Sequence, residues 1–332
     1  MACKHKARIV AMGSHLPSKV LSNNDLEKMV ETNDEWIVSR TGIKERRIAG
    51  KDECSSHMGS QAAAAAFQKC SVKPEDIELV LVATMTPDYV TPSSAALIQS
   101  QLNLPKVPAI DLQAACTGFI YALSVAKAYV NSGIYKNILV VATEKMSTVV
   151  DYTDRNTCIL FGDGASAAIV TNEGKGLEIG EISLGADGDL AELVYVPAGG
   201  SRMPATQQSV EEKKHTIVLH GREVFKHAVR RMSSAAEICL MNAGLKHSDL
   251  AWIVPHQANE RIIDAIAKGL EFPLERVYKT VHKYGNTSAS AVAIALDELN
   301  TEFPLETGEI ILLVAFGAGL TWGALLLKQV EN

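Results

Sequence analysis

Pro74-Glu75-Asp76-Ile77-Glu78-Leu79-Val80-Leu81-Val82 is the stretch that decides the fold, because its pattern recurs later in the chain. The second copy reads His247-Ser248-Asp249-Leu250-Ala251-Trp252-Ile253-Val254, and in both an acidic residue precedes an apolar, strand-like run. An Ala-rich helical pattern follows each copy, and a further strand pattern follows each helix. This repeat predicts two similar halves of alternating strands and helices. Chance similarity between two such units is the alternative.

The remaining pattern extends this alternation along the 332 residues, of which 47% are hydrophobic, enough for a large core. Strands are predicted at 77–84, 137–142, 167–171 and 309–315, and helices at 60–69, 119–130 and 289–299. We place the two halves at 1–173 and 174–332. The polar stretch 201–215 is either a flap or a solvated insertion.

Composition and charge exclude several classes of protein. A net charge of −6 argues against a nucleic-acid-binding surface. No apolar run reaches the roughly 18 residues of a membrane span, and the basic segment 1–8 does not lead into a secretory signal. The six cysteines lack Cys-x-x-Cys spacing, so we expect no metal site, no disulfide framework and a cytoplasmic location.

Three short segments each place a reactive side chain between an apolar run and a helix. They are Ala114-Ala115-Cys116-Thr117-Gly118, Pro255-His256-Gln257-Ala258-Asn259 and Gly285-Asn286-Thr287-Ser288-Ala289-Ser290. In the repeat, Cys116 and Asn286 occupy equivalent helix-start positions, which a pseudo-twofold axis would bring toward one centre. A thiol at a helix N-terminus is expected to have a lowered pKa and to act as a nucleophile.

Each of these residues also has a purely structural interpretation. A lone cysteine such as Cys116 is commonly a buried packing residue. His256 fits a hydrogen-bonded loop histidine equally well, and Asn286 fits an ordinary helix N-cap. Similarly, Met85 and Met146 could line an acyl channel or fill the core.

Taken together and in order, these segments resemble β-ketoacyl-acyl-carrier-protein synthase III, the initiating condensing enzyme of dissociated fatty acid synthesis. The resemblance runs from 11–17 to 321–323 and includes 34–43, 114–119, 161–165, 256–261 and 285–288. It implies a thiolase-like α/β fold, with two βαβαβ halves in five layers (αβαβα), and a homodimer. The implied reaction is a decarboxylative condensation of an acyl-CoA primer, acetyl-CoA in the first instance, with malonyl-acyl carrier protein (ACP). The coenzyme A thioester is then a substrate, and no cofactor or metal is implied.

The resemblance also implies a role for individual residues. Cys116 is the acyl-accepting nucleophile, His256 and Asn286 are its partners, and the N–H groups of Cys116 and Ala318 form the oxyanion hole. The positions implied to contact coenzyme A are Trp36, Arg40, Thr41, Arg155, Gly221, Asn259 and Phe316. Those implied to contact ACP are Lys226, Gln257, Arg261 and Lys268.

Two positions depart from the family pattern. Ala318 interrupts a run that is often all glycine. Thr91 stands where many members carry Phe in an acyl pocket shared across the dimer, so we expect room here for longer or branched acyl groups.

Four other functions compete with this interpretation. A ketosynthase or acyltransferase of secondary metabolism would use the same Cys-His-Asn set on another acceptor. A degradative thiolase would need a second cysteine near the C-terminus, where 316–322 has none. Elongating condensing enzymes prefer a second histidine in place of Asn286, and a non-enzymatic binding module needs none of the three groups.

Overall fold

Nine strands hydrogen-bond in one continuous order in this computed structural model, which describes residues 5–331. The strands of the described chain are β1 Arg8–His15, β2 Lys19–Ser22, β3 Glu45–Ile48, β4 Leu79–Ala83, β5 Ala109–Leu112, β6 Ile138–Lys145, β7 Asp163–Thr171, β8 Gly176–Ala186, β9 Val194–Tyr195, β10 Val218–Leu219, β11 Trp252–Pro255, β12 Ile310–Gly317 and β13 Thr321–Val330. The helices are α1 Asn23–Leu26, α2 Asp34–Thr41, α3 Ser55–Phe67, α4 Ser94–Gln101, α5 Gly118–Ser132, α6 Gln207–Glu211, α7 Gly221–Ala243, α8 Glu260–Gly269, α9 Val281–Tyr284 and α10 Ser290–Glu302.

The strand order repeats across the middle of the sheet, as the sequence repeat predicts. The order is β11-β12-β13-β8-β1-β7-β6-β4-β5. In each half a parallel pair, β4–β6 or β11–β12, leads to two antiparallel pairings. The counterpart of β5 is a single parallel bridge between Val277 and Ile253. The halves join where Arg8 pairs with Glu178 and Ile9 with Leu177. The boundary at 173/174 falls between β7 and β8 and stays a prediction.

The acidic residue of each repeat copy caps the turn that precedes the strand. Asp76 accepts a hydrogen bond from the Lys73 N–H at 2.9 Å, and Asp249 accepts one from the Lys246 N–H at 2.8 Å. Each carboxylate closes a short 3₁₀ turn immediately before β4 or β11. The repeated motif is thus a capped turn that leads into a buried strand.

Alternate residues along the strands pack on different helices, which produces the layers. In β4, Leu81 belongs to the core around α5 and α10, whereas Val80 and Val82 belong to the core around α3 and α4. In β12, Leu313 packs in the α5–α10 core and Leu312 in the core under α7 and α8. The layers are therefore α3–α4, half-sheet, α5–α10, half-sheet and α7–α8, which confirms the five-layer prediction.

Helix α3 begins at Ser55 rather than at the predicted residue 60, because a distant carboxylate caps it. Asp88 accepts hydrogen bonds from the Ser56 N–H at 2.8 Å and the Ser56 hydroxyl at 2.6 Å. The local sequence carries no such cap, since the Cys54 side chain at the N-cap position accepts no hydrogen bond from the helix N–H groups.

Two further findings concern the described residues only. No helix within 5–331 combines the length and the apolar character needed to cross a membrane. Five cysteines in this range are free thiols, and Cys3 lies outside the described residues.

The crossing of β1 over α3 gives a test of the packing. A Cβ added at Gly13 would meet the backbone of the helix, at 2.6 Å from the Ala62 carbonyl oxygen and closer still to the Ala66 nitrogen. We expect Gly13→Ala to lower the free energy of unfolding by about 2–3 kcal/mol, because neither backbone can move independently. Gly188→Ala is the matched control, since nothing lies within 4 Å of a Cβ there. Equal urea midpoints for the two variants would contradict this packing.

Candidate active site

One cavity of about 1060 Å³ collects most of the residues that the sequence singled out. Cys116 from the first half lines it together with His256 and Asn286 from the second. Other predicted residues on its wall are Trp36, Arg40, Thr41, Met85, Met146, Gly221, Lys226, Asn259, Arg261, Phe316 and Ala318. Residues as far apart in the sequence as Trp36 and Ala318 thus line one cavity.

Cys116 lies in a 3₁₀ turn, Ala115–Thr117, immediately before α5. Ala115 holds a left-handed backbone conformation, with φ at +46°. The last residue of β12 packs directly on this turn: a Cβ at Gly317 would lie 2.8 Å from the Cys116 nitrogen. Only glycine permits this approach, and it sets the next residue, Ala318, on the cavity wall beside the thiol.

The thiol belongs to a chain of three hydrogen-bonded side chains. Cys116 Sγ donates to Ser288 Oγ at 3.5 Å, and Ser288 Oγ donates to Glu144 Oε1 at 3.1 Å. Burial raises the pKa of the Cys116 thiol to about 12, and the nearby Glu144 charge acts in the same direction. This direction is opposite to the lowering expected at a helix N-terminus, because burial is the largest influence on the Cys116 pKa.

His256 follows β11 and is 4% exposed. The main-chain N–H of His256 donates to the Val314 carbonyl at 2.8 Å, which anchors the residue to β12. The ring nitrogen Nδ1 has no hydrogen-bond partner within the described residues, and burial lowers the pKa of His256 to about 4. The imidazole is consequently neutral near pH 7 and can serve as a hydrogen-bond donor to a substrate oxygen.

Hydrogen bonds of the main chain and of the side-chain oxygen Oδ1 hold Asn286 in place. Its N–H donates to the Leu160 carbonyl at 2.8 Å, and its carbonyl accepts from the Gly162 N–H at 3.1 Å. Side-chain Oδ1 accepts from the Ser288 N–H at 2.9 Å, the turn-capping contact that the structural interpretation anticipated. The NH₂ group of the same amide is left as the donor toward the cavity.

Three of the residues predicted to contact coenzyme A, namely Trp36, Arg40 and Arg155, lie together in the structure. The Arg40 and Arg155 guanidinium carbons lie 4.9 and 5.0 Å from the Trp36 ring centroid. Asn259 caps α8 and donates to the Arg40 carbonyl at 3.0 Å, so it links α8 to α2. Thr41 is buried, and its hydroxyl donates to the Ile37 carbonyl at 2.7 Å.

The segment 201–215 borders the cavity. It contains α6, and the Lys213 ammonium forms an ion pair with Asp151 at 3.0 Å. Both residues of the pair line the cavity.

The residues predicted to contact ACP fall into two groups. Arg261 and Lys268 are exposed on α8, and Lys226 is exposed on α7 but pairs with Glu223 at 2.9 Å. Gln257 corrects the prediction, because it is 1% exposed and cannot reach a docked protein. Its amide donates to the Pro255 and Tyr278 carbonyls and accepts from the main chain at 280–281.

Thr91 is exposed and lies outside the set of residues that line the cavity. Its place in an acyl pocket shared by two subunits stays a prediction.

The sequence analysis did not identify Glu144 as a site residue. The available signal was a carboxylate two residues after the apolar run 138–142, since a carboxylate that continues a buried strand needs hydrogen-bond partners.

Comparisons with known proteins agree on one family. The family model described as 3-oxoacyl-[acyl-carrier-protein (ACP)] synthase III matches residues 110–188, and its C-terminal companion matches 240–329. β-Ketoacyl-[acyl-carrier-protein] synthase III of Chlamydia caviae is 58% identical over 328 residues, 98% of each chain.

Solved structures also match this chain over nearly its whole length. The 3-oxoacyl-[acyl-carrier-protein] synthase III of Aquifex aeolicus superimposes with a TM-score of 0.89 at 45% identity, covering 97% of this chain and 99% of that one. The priming β-ketosynthase of the R1128 polyketide pathway gives 0.90 at 37% identity, covering 98% and 97%.

Proposed function

The chain belongs to the 3-oxoacyl-[acyl-carrier-protein] synthase III family, and from this premise we propose how its residues perform the condensation that initiates fatty acid synthesis. The observation that carries the assignment of roles is the convergence of Cys116, His256 and Asn286 on one cavity. The primer is an acyl-CoA, with acetyl-CoA as the first candidate, and the acceptor is malonyl-ACP.

In the first half-reaction, Cys116 sulfur attacks the primer thioester and coenzyme A leaves. The N–H groups of Cys116 and Ala318 hold the tetrahedral oxyanion, as the close packing of Gly317 on the Cys116 backbone supports. The Trp36 ring and the guanidinium groups beside it bind the adenine and phosphates of coenzyme A.

In the second half-reaction, neutral His256 and the Asn286 NH₂ group donate hydrogen bonds to the malonyl thioester oxygen. These donors stabilise the enolate that forms when CO₂ departs. The enolate carbon then attacks the acyl group on Cys116, which releases β-ketoacyl-ACP and leaves Cys116 as a thiolate. One proton from solution restores the thiol. Two uncharged donors suit the decarboxylation because neither has to be protonated beforehand to donate its hydrogen bond at neutral pH.

ACP is the partner that the family uses, and we propose that Arg261 and Lys268 on α8, with Lys226 on α7, receive it. Carrier proteins are acidic, so a local positive surface is required on a chain whose net charge is −6. The homodimer and the cytoplasmic location stay predictions.

A second candidate uses the same primed Cys116 on a different acceptor, as in secondary metabolism. The structural similarity to the R1128 priming β-ketosynthase supports this candidate, which differs from the first only in the acceptor of the acyl group. Relatives above 55% identity favour malonyl-ACP in fatty acid synthesis, and condensation assays with alternative acceptors separate the two.

Incubation with acetyl-CoA followed by intact and peptide mass spectrometry tests the function directly. We expect one acetyl adduct, on Cys116, and none on a Cys116→Ala variant, which still carries the buried thiols Cys158 and Cys239. An adduct only with longer acyl-CoAs would keep the mechanism and support the roomy pocket predicted at Thr91. No adduct with any acyl-CoA would defeat the assignment in favour of a binding module.

Asn286→Ala separates the half-reactions. We expect decarboxylation of malonyl-ACP to fall by about 10²-fold, the usual effect of losing one oxyanion donor, while acetyl transfer to Cys116 stays within about threefold. Asn286→Asp is the companion variant: it keeps an oxygen for the Ser288 N–H, but it replaces the NH₂ donor with a charged carboxylate oxygen. We expect it to lose decarboxylation at least as severely as Asn286→Ala. An Asn286→Ala enzyme that decarboxylates normally but fails to acylate shows that the division of roles is wrong.

Arg261→Glu tests the ACP surface. We expect the KM for malonyl-ACP to rise about tenfold at low salt, with acetyl transfer from acetyl-CoA nearly unchanged, because a rim charge acts mainly on association. Lys106→Glu makes the same charge change at an exposed position outside the cavity wall and serves as the control. Equal losses in both half-reactions count against the proposed docking site.

A further inference from the structure

Glu144 is a fully buried carboxylate that the steps above leave unused. It is the second-last residue of β6, and its partners are hydrogen-bond donors. Thr86 contributes its hydroxyl at 2.6 Å and its N–H at 3.1 Å, and the Met85 N–H lies 3.1 Å from Oε2. Several donors around one carboxylate stabilise its ionised form and hold its position.

Ser288 connects this carboxylate to the nucleophile. The residue is fully buried, its φ is +51°, and its N–H is bound by Asn286 Oδ1. A non-glycine residue in the left-handed region is held there by its surroundings, so the hydroxyl has a defined position. The proton of this hydroxyl points to Glu144 and its lone pair accepts the Cys116 thiol.

We propose that Ser288 and Glu144 form the proton-accepting relay of Cys116 during acyl transfer, and that His256 remains a neutral donor throughout. This inference rests on the proposed function. As the Cys116 sulfur bonds to the acyl carbon, its S–H bond breaks and the proton passes to Ser288 Oγ. The Ser288 hydroxyl proton passes in turn to Glu144. Coenzyme A departs as a thiolate and takes the Ser288 hydroxyl proton, while Glu144 returns its proton to Ser288 Oγ. This restores the Ser288 hydroxyl and the ionised form of Glu144.

Electrostatics favour the carboxylate over the imidazole as the proton acceptor. Burial raises the pKa of Glu144 to about 7 and lowers that of His256 to about 4, so near neutral pH the carboxylate is the stronger base. Ionised Glu144 also opposes a thiolate at Cys116. Moving the proton between them leaves the buried site with one negative charge instead of two.

The ionisable neighbours of Glu144 are few. Cys116 faces it through Ser288, and the groups from 84–86 and from the start of α10 are hydroxyls and peptide N–H groups. Asp163 on the adjacent β7 accepts bonds from Ser147 and from the Ala49 N–H. The Lys145 ammonium binds the Gly50 carbonyl at 2.7 Å, away from the relay.

Single-turnover acetylation of Cys116 by acetyl-CoA, followed by quenched mass spectrometry from pH 5.5 to 9, tests the relay. For the unaltered enzyme we expect the rate to rise as Glu144 ionises and to level off above about pH 7. Ser288→Ala removes the link, so its rate at pH 7 should fall by roughly 100-fold, within the usual contribution of a general base. The inflection near pH 7 should also vanish, and decarboxylation of malonyl-ACP should stay within about twofold.

Ser290→Ala is the matched control, because Ser290 is equally buried and its hydroxyl binds the Thr287 carbonyl instead. It should retain the pH profile of the unaltered enzyme. The relay is overturned if Ser288→Ala keeps that profile, or if it loses acetylation and decarboxylation in parallel, which indicates a structural role. Failure of the unaltered enzyme to acetylate would instead defeat the proposed function.

Discussion

The contact between the starts of α5 and α10 is the constraint on which the site depends. A Cβ at Gly118 would lie 3.0 Å from the Ala83 Cβ and 3.2 Å from the Ala289 Cβ, so three small residues set the distance between the two halves. Both helices lie in the middle layer, where the core from each half-sheet packs on them. Because the helix starts touch, a thiol from one half and a hydroxyl and a carboxamide from the other share one space.

Burial then determines how that space is charged. It lowers the pKa of His256 and raises those of Cys116 and Glu144, so each group favours its neutral form more than it does in water. The site compensates with fixed dipoles: peptide N–H groups, hydroxyls and one amide. Such groups stabilise charge that appears during the reaction without holding a permanent counterion.

Much of the fold could be predicted from the sequence because the decisive signals are local. Asp76 and Asp249 each accept a hydrogen bond from an N–H group only three residues earlier, and an apolar strand follows each of them. The repeat can therefore be recognised in the sequence. The start of α3 could not be predicted in this way, because the residue that caps it, Asp88, is over 30 residues away in the sequence. The direction of the Cys116 pKa shift was also missed, since a helix dipole is visible in a sequence pattern and desolvation is not. Gln257 was misplaced for the same reason, because its exposure depends on packing of 278–281 around it.

The fit of Gly317 against the Cys116 backbone limits where the primer site can be re-engineered. Any side chain at 317 would press on the main-chain nitrogen of the nucleophile. Ala318 is the next residue in the chain, and it lines the cavity. Residue 318 is therefore the position in this segment at which a larger or smaller side chain would change the volume of the cavity directly.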